Sequence, residues 1–359
     1  MTGRIALKLQ RGSGFSLDVD CEIAPQGVTV LFGPSGCGKT TILRCMAGLE
    51  RARGYVKITQ TCWQDDEAGI YVPTHRRNLG YVFQEASLFD HLSVRDNLAF
   101  GLKRRSIPDG DRRLQEAVEL LGIGHLLDRR PVNLSGGERQ RCAIARSLVY
   151  APDVLLLDEP LAALDENRRR DILPWLERLR DELAIPMVYV THSKSELMRL
   201  ADHLILMRDG RSVAHGAIDA ILADPTWSTE FANEPTVLLR GNVLEQQAQW
   251  GLTRVGLAGS GLSLWLPAAD APIGSAIRAS VKAADVSISL DESTRSSIQN
   301  RLPARIVGLH PYAGRAHVLV SMDVAGQPLQ ALVTSRSVHE LGLFVSQTVW
   351  AQIKALSVR

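Results

Sequence analysis

An α/β fold arranged about a phosphate-binding loop, followed by an all-β C-terminal part, is what this 359-residue sequence predicts. Three observations carry it. Residues 28–32 are an apolar, β-rich run that passes directly into the glycine-rich turn Gly33-Pro34-Ser35-Gly36-Cys37-Gly38 and then Lys39-Thr40-Thr41. Such a run suits a strand covered on both faces of a parallel sheet. Three further apolar runs end on Gln84, on Asp158-Glu159 and on His192, with helical periodicity between them. From Thr236 onward the pattern changes to short alternating strands with Gly and Pro turns, such as Gly261-Leu-Ser-Leu-Trp-Leu-Pro267,.

Taken in order, residues 4–9 and 15–23 alternate apolar and polar, which predicts half-buried antiparallel strands in a small sheet beside the loop,. Phe15 reads as a core aromatic or as a surface on which a nucleotide base stacks. Within the loop, Gly33, Gly36 and Gly38 permit backbone angles that a Cβ would block. Successive N–H groups then point at an anion, reinforced by the positive end of the helix that starts near Lys39. Lys39 can reach the β- and γ-phosphates of a bound nucleotide, and the Thr40 hydroxyl can ligate Mg²⁺. Cys37 reads either as a small residue that fits or, beside Lys39 at a helix terminus, as a thiol of lowered pKa.

The helix continues to Leu49, and residues 54–58 return to strand. Residues 79–84 form an apolar strand ending on Gln84, where strand ends of an α/β sheet make a crevice. Ser93-Val-Arg-Asp96 has capping-box spacing, and helical patterning through Leu114, Val118 and Leu121 makes residues 85–150 a helical insert,. Leu134-Ser135-Gly136-Gly137-Glu138-Arg139-Gln140 opens the next helix with a second anion-binding edge. That heptapeptide arises by chance in about one chain per million at average residue usage. Residues 154–158 form a buried strand whose end carries Asp158 and Glu159, charges that find solvent only in the crevice. One carboxylate there suits hydrated Mg²⁺ and the other suits orienting or deprotonating a water. Asp165 follows, then a helix to about Leu183. The strand 187–192 ends on His192 beside the same crevice, and residues 204–213 read as strand, Asp209-Gly210 turn and return strand.

Composition narrows the function. Lys and Arg number 41 against 39 Asp and Glu, a net charge of +2 too balanced to predict nucleic-acid binding from electrostatics alone, and no nucleic-acid partner is expected,. The basic clusters Lys103-Arg104-Arg105 and Arg168-Arg169-Arg170 read as solvated helix faces, with an anionic membrane surface as the minority reading. Five scattered cysteines without a C-x-x-C pair suggest neither a disulfide framework nor a zinc site and fit a reducing cytosol,. No run approaches the ~20 apolar residues of a membrane span, and the N-terminus has no signal-peptide core. The expectation is a soluble chain, or one held at a membrane by a partner.

Together these residues resemble the ATP-binding cassette (ABC) ATPases over residues 1–235, with every diagnostic segment in the family's order. The resemblance implies that Gly33 to Thr41 are the phosphate loop and that Gln84 contacts metal and water. It likewise makes Ser135, Gly136, Gly137 and Glu138 the signature motif, and Asp158 the Mg²⁺-coordinating acid. Glu159 is matched to the general base, Asp165 to the dimer-contact loop and His192 to the γ-phosphate switch. Phe15 is matched to the base-stacking aromatic across a shorter segment than in many relatives. The family pattern also implies that the signature motif of a second copy completes each ATP site, so that ATP and Mg²⁺ are bound between two copies.

Residues 293–359, on Ser296-Ser-Ile-Gln-Asn-Arg-Leu-Pro-Ala-Arg-Ile-Val307 and Val349-Trp-Ala-Gln-Ile-Lys354, resemble the molybdate-binding (TOBE) domain of molybdate importer ATPases. Gln299 and Ala304 stand where relatives often carry a basic residue and Gly, departures that bear on oxyanion binding there. Residues 236–292 form a β-rich linking unit. Ile277-Arg-Ala-Ser-Val-Lys-Ala283 echoes Val349-Trp-Ala-Gln-Ile-Lys-Ala355, and the hairpin at 252–266 echoes 318–333, which predicts two related units packed as oligonucleotide-binding-like barrels. The implied function is the ATP-hydrolysing subunit of an importer, peripheral on the cytoplasmic face of the cell membrane. It would serve integral permease subunits, indirectly a periplasmic or extracellular solute-binding protein, and molybdate as first-ranked solute. Tungstate, sulfate, ferric iron and sugars are rival solutes, and a soluble ABC ATPase of DNA repair or translation and a non-enzymatic oxyanion store are rivals of other classes.

Overall fold

The structure is a computed structural model that describes all residues except 1, 13, 103–108, 228–234, 270, 293–295, 313, 315 and 356–359. The cluster Lys103-Arg104-Arg105 and the expected start of the third segment at 293 therefore lie outside the described residues. The chain divides into two units, Met1–Ala217 and Ile218–Arg359.

The strands of the first unit are β1 (Gly3–Arg11), β2 (Phe15–Ile23), β3 (Gly27–Phe32), β4 (Arg53–Ile58), β5 (Thr61–Asp65), β6 (Ile70–Tyr71), β7 (Leu79–Val82), β8 (Val154–Asp158), β9 (Pro186–Thr191), β10 (His203–Arg208) and β11 (Arg211–Ala217). Among the described residues they form one 11-stranded sheet in the order β6-β5-β4-β1-β2-β11-β10-β3-β9-β8-β7. The stretch from β10 to β7 is parallel. β8 and β9 are buried at every position, which is why they read as unbroken apolar runs,.

β1 and β2 pair antiparallel with alternating burial, as their period predicts, yet they are not a separate small sheet. The Asp18 N–H donates to Gly210 O at 2.8 Å and Asp18 pairs with Arg211, which joins β2 to β11 and so to the main sheet.

Helix α1 (Lys39–Ala47) packs on one face of this sheet, with Ile42, Leu43 and Met46 fully buried against Val154, Leu156 and Val188. Helices α2 (Val94–Ala99), α3 (Gly110–Leu121) and α4 (Gly136–Leu148) make up the helical insert. Ser93 caps α2 through the Asp96 N–H, as its spacing predicts. Helix α5 (Glu166–Glu182) carries Arg168 and Arg170, which pair along its exposed face with Asp165 and Glu166. Helix α6 (Lys194–Leu200) follows β9. No described helix is long and apolar enough to cross a membrane.

The second unit opens with the short helix α7 (Ile218–Ala223). Its strands are β12 (Thr236–Gln247), β13 (Leu252–Leu257), β14 (Ser263–Pro267), β15 (Ala276–Lys282), β16 (Val286–Ser289), β17 (Asn300–Tyr312), β18 (His317–Val324), β19 (Gln327–Thr334) and β20 (Thr348–Ile353), with helix α8 (Ser335–Glu340) between the last two. They form the sheets β14-β13-β12-β15 and β16-β20-β17-β18-β19. The sequence echo is a structural repeat: β12 to β15 and β17 to β20 have the same hydrogen-bonding order. Gly241 pairs with Ile277 as Ala304 pairs with Val349, and each long strand carries a bulge two residues later, after Val243 and after Ile306. The two sheets do not close separate barrels with separate cores. Val237, Leu264 and Val281 of one join Leu302, Val320 and Val349 of the other in one buried cluster.

Candidate active site

The register of the parallel strands assembles the site. Phe32 pairs with Thr191, Val190 with Asp158, and Leu157 with Val82. The residues that follow, Gly33, His192, Glu159 and the Phe83-Gln84 turn, therefore emerge along one edge of the sheet.

Gly33 to Gly38 turn the chain from β3 into α1. A Cβ on Gly33 would overlap the Met207 carbonyl oxygen, so only glycine fits there,. Gly38 sits at φ 101° with the Phe15 and Leu17 side chains against it. The loop borders two adjoining clefts of about 410 and 330 Å³ that share Phe15, Ser35 and Gly36. Phe15 is thus placed at the loop itself, lining both clefts.

Lys39 is 4% exposed. Its Nζ donates to the carbonyls of Gly33 and Pro34, both at 2.8 Å. The Thr40 hydroxyl donates to Asp158 Oδ1 at 2.8 Å and the Tyr81 hydroxyl to Oδ2 at 3.0 Å. Burial pushes the Asp158 carboxyl above its ordinary range, against these two hydrogen bonds,. Glu159 stands in the left-handed region at φ 44° and lines the second cleft, and its Oε2 lies 3.4 Å from His192 Nδ1. Gln84 is exposed beyond the end of β7.

Cys37 is buried, 6% exposed, with Sγ 3.9 Å from Lys39 Nζ. Its thiol is raised, not lowered: burial outweighs the nearby ammonium,. The helix terminus and Lys39 were visible in the sequence, whereas the apolar packing that overrides them was not.

Ser135 caps α4 in a full capping box: its backbone N–H donates to Glu138 Oε2 at 2.7 Å, and its Oγ accepts from the Glu138 N–H. That backbone hydrogen bond holds the Glu138 carboxyl below its ordinary value. Asp165 caps α5 by accepting from the Arg168 N–H at 3.0 Å. Neither this cap, nor Ser135–Glu138, nor Gln84 borders the two clefts. Sequence reasoning missed Arg11 and Asp209, which line the clefts, and Tyr81. The signal for Tyr81 was strand periodicity, which sets it on the face that carries Leu79.

Over 99% of its length the chain is 50% identical to the molybdenum import ATP-binding protein ModC of Pseudomonas fluorescens, and it covers 99% of that protein. The chain belongs to the ModC family. ModC of Aromatoleum aromaticum is 50% identical over 100% of this chain and 95% of that protein, and ModC of Bordetella pertussis 49% over 96% and 94%. Two family models match, ABC transporter over residues 17–162 and TOBE domain over residues 296–359. Among solved structures, this ModC-family chain is similar to cbiO1 from Clostridium perfringens, part of the ABC transporter complex cbiONQ, with a TM-score of 0.55 at 28% identity over 64% of this chain and 93% of that one. It is also similar to a dimeric ATP-binding cassette in a post-hydrolysis state with ADP and Pi, with a TM-score of 0.50 at 26% identity over 61% of this chain and 99% of that one. The fold is therefore an ABC ATPase domain followed by a TOBE-type all-β part, as the motifs implied.

Proposed function

We propose that the chain is the ATP-hydrolysing subunit of a molybdate importer, paired with a second copy and held by integral permease subunits at the cytoplasmic face of the cell membrane. The observation that carries this reading is the strand register that sets the phosphate loop, Asp158-Glu159 and His192 along one sheet edge, in a chain of the ModC family. The backbone N–H groups of Gly33 to Thr41 cradle the phosphates and Lys39 moves from the Gly33 and Pro34 carbonyls to them. The Thr40 hydroxyl, the Asp158 carboxylate and the Gln84 amide are hard oxygen donors of the kind Mg²⁺ takes, with Asp158 already fixed by two hydroxyls,. When bound, Mg²⁺ neutralises charge on the β- and γ-phosphate oxygens.

Glu159 accepts the proton of the attacking water, and His192, with Nδ1 toward Glu159, turns its other ring nitrogen to the γ-phosphate. Ser135 to Glu138 and Asp165 stand outside the clefts of their own chain, which supports their use at the site of a second copy. A similar solved cassette is dimeric. The TOBE-type sheets are the candidate oxyanion-binding part.

Glu159→Gln tests the assignment. Steady-state hydrolysis is expected to fall roughly a hundredfold or more, with ATP affinity within about twofold of wild type, because the carboxylate acts in the chemical step. Equal hydrolysis rates would remove Glu159 from the role of base.

A further inference from the structure

We propose that Tyr81 is the positioning residue for Asp158, fixing the orientation of the carboxylate that faces the metal; the proposal rests on the ATP and Mg²⁺ reading above. β7 and β8 are parallel with Tyr81 beside Leu156, so Tyr81 and Asp158 stand on the same face of the sheet, two residues apart in register,. A phenol side chain spans that diagonal. It is also the face on which α1 packs: Val154 and Leu156 share their buried cluster with Ile42, Leu43 and Met46, and the Tyr81 ring lies against that cluster.

Asp158 is 7% exposed and receives one hydroxyl on each oxygen, Thr40 on Oδ1 and Tyr81 on Oδ2. The two donors differ in kind. Thr40 is itself a proposed metal donor at the start of α1, so its hydroxyl reorients with the ion. Tyr81 is anchored in β7, and its ring packs against the tilted ring of Phe83, with centroids 4.4 Å apart. The phenol O–H is therefore the fixed reference that keeps Asp158 turned toward the Thr40 side, whether or not a cation is bound. Because Phe83 precedes Gln84, the same ring contact links this carboxylate to the turn that carries the third proposed donor.

The test uses the full-length chain and Tyr81→Phe, which keeps the ring and its Phe83 contact and removes only the hydroxyl. Mg²⁺ is titrated in the presence of a non-hydrolysable ATP analogue, and Mn²⁺ is titrated in parallel with its paramagnetic resonance as a direct readout of the ion. Apparent metal affinity is expected to weaken roughly tenfold or more, the share of one hydrogen bond to a charged group. Analogue affinity in excess EDTA should be unchanged. A purely structural role would lower the thermal midpoint in EDTA and leave both metal titrations as in wild type, and that result overturns the proposal. So does an equal loss of analogue affinity with and without metal. If wild type itself shows no metal-dependent analogue binding, the ATP and Mg²⁺ reading has failed and this role with it.

Discussion

Glu159 is held at φ 44°, a conformation that costs a side-chain-bearing residue about 1–2 kcal/mol, by its N–H on the Val190 carbonyl at 3.1 Å and by the Ala162 N–H on its own carbonyl at 3.1 Å,. The turn brings the carboxylate to 3.4 Å from His192 instead of letting it continue along the strand axis. The sequence located Glu159 by the buried strand before it, but the backbone reversal was not legible, because no glycine or proline stands at that position. Tyr81 escaped for a similar reason: a tyrosine in an apolar strand looks like core until its hydroxyl is seen to meet a carboxylate from the neighbouring strand. For Cys37 two readings stood side by side, a small residue that fits and a thiol of lowered pKa, and the burial that decides for the first was not legible. With the thiol buried and its pKa raised, Cys37 in the nucleotide-free chain is expected to react with a disulfide reagent at pH 7.4 at least roughly tenfold more slowly than the same thiol in the urea-unfolded chain. Comparing wild type with Cys37→Ser identifies its share of the kinetics. A reaction as fast as in the unfolded chain would restore the activated-thiol reading.

At the scale of elements, strands buried on both faces and helices opened by Ser or Asp caps were legible because their signals are local: unbroken apolar runs for β8 and β9, and the spacing of Ser93 to Asp96 for α2,. The union of β2 with β11 was not, since it depends on backbone hydrogen bonds between residues far apart in sequence. In the second unit the same kind of long-range contact secures the sheet edges. The Asn300 side chain accepts from the Trp265 N–H at 2.6 Å and donates to the Trp265 carbonyl at 2.7 Å, completing both backbone groups of the edge strand β14. In the interior strand β12, the Gln327 side chain likewise accepts from the Arg240 N–H at 2.7 Å and donates to the Arg240 carbonyl at 3.0 Å. Asn300 is 1% exposed, and replacing it with Ala removes the side-chain partner of both half-buried Trp265 backbone groups. The expected cost is about 2–4 kcal/mol, read as a lower urea midpoint for the TOBE-type unit at unchanged slope. A change below about 0.5 kcal/mol would mean that water replaces the amide and that the clamp carries little.

For the whole molecule, the internal repeat was legible as two echoing segments, and the structure extends it to strand order and bulge position. What the echo did not reveal is that both repeats fill one core. Contacts such as those gathering Leu264, Val281, Val320 and Val349 cross between sheets and leave no periodicity in either segment. The N-terminal unit supplies the phosphate loop, the carboxylates and the histidine. The proposed solute rests on the family to which the full chain belongs, and the proposal of ATP-driven molybdate import needs both features. The most direct measurement is uptake of labelled molybdate by cells lacking this chain, complemented with wild type or with Glu159→Gln. Wild type alone should restore uptake, and excess unlabelled molybdate should suppress it while a comparable excess of sulfate leaves it. Equal uptake with wild type, Glu159→Gln and no protein, in cells without another molybdate route, would contradict the account.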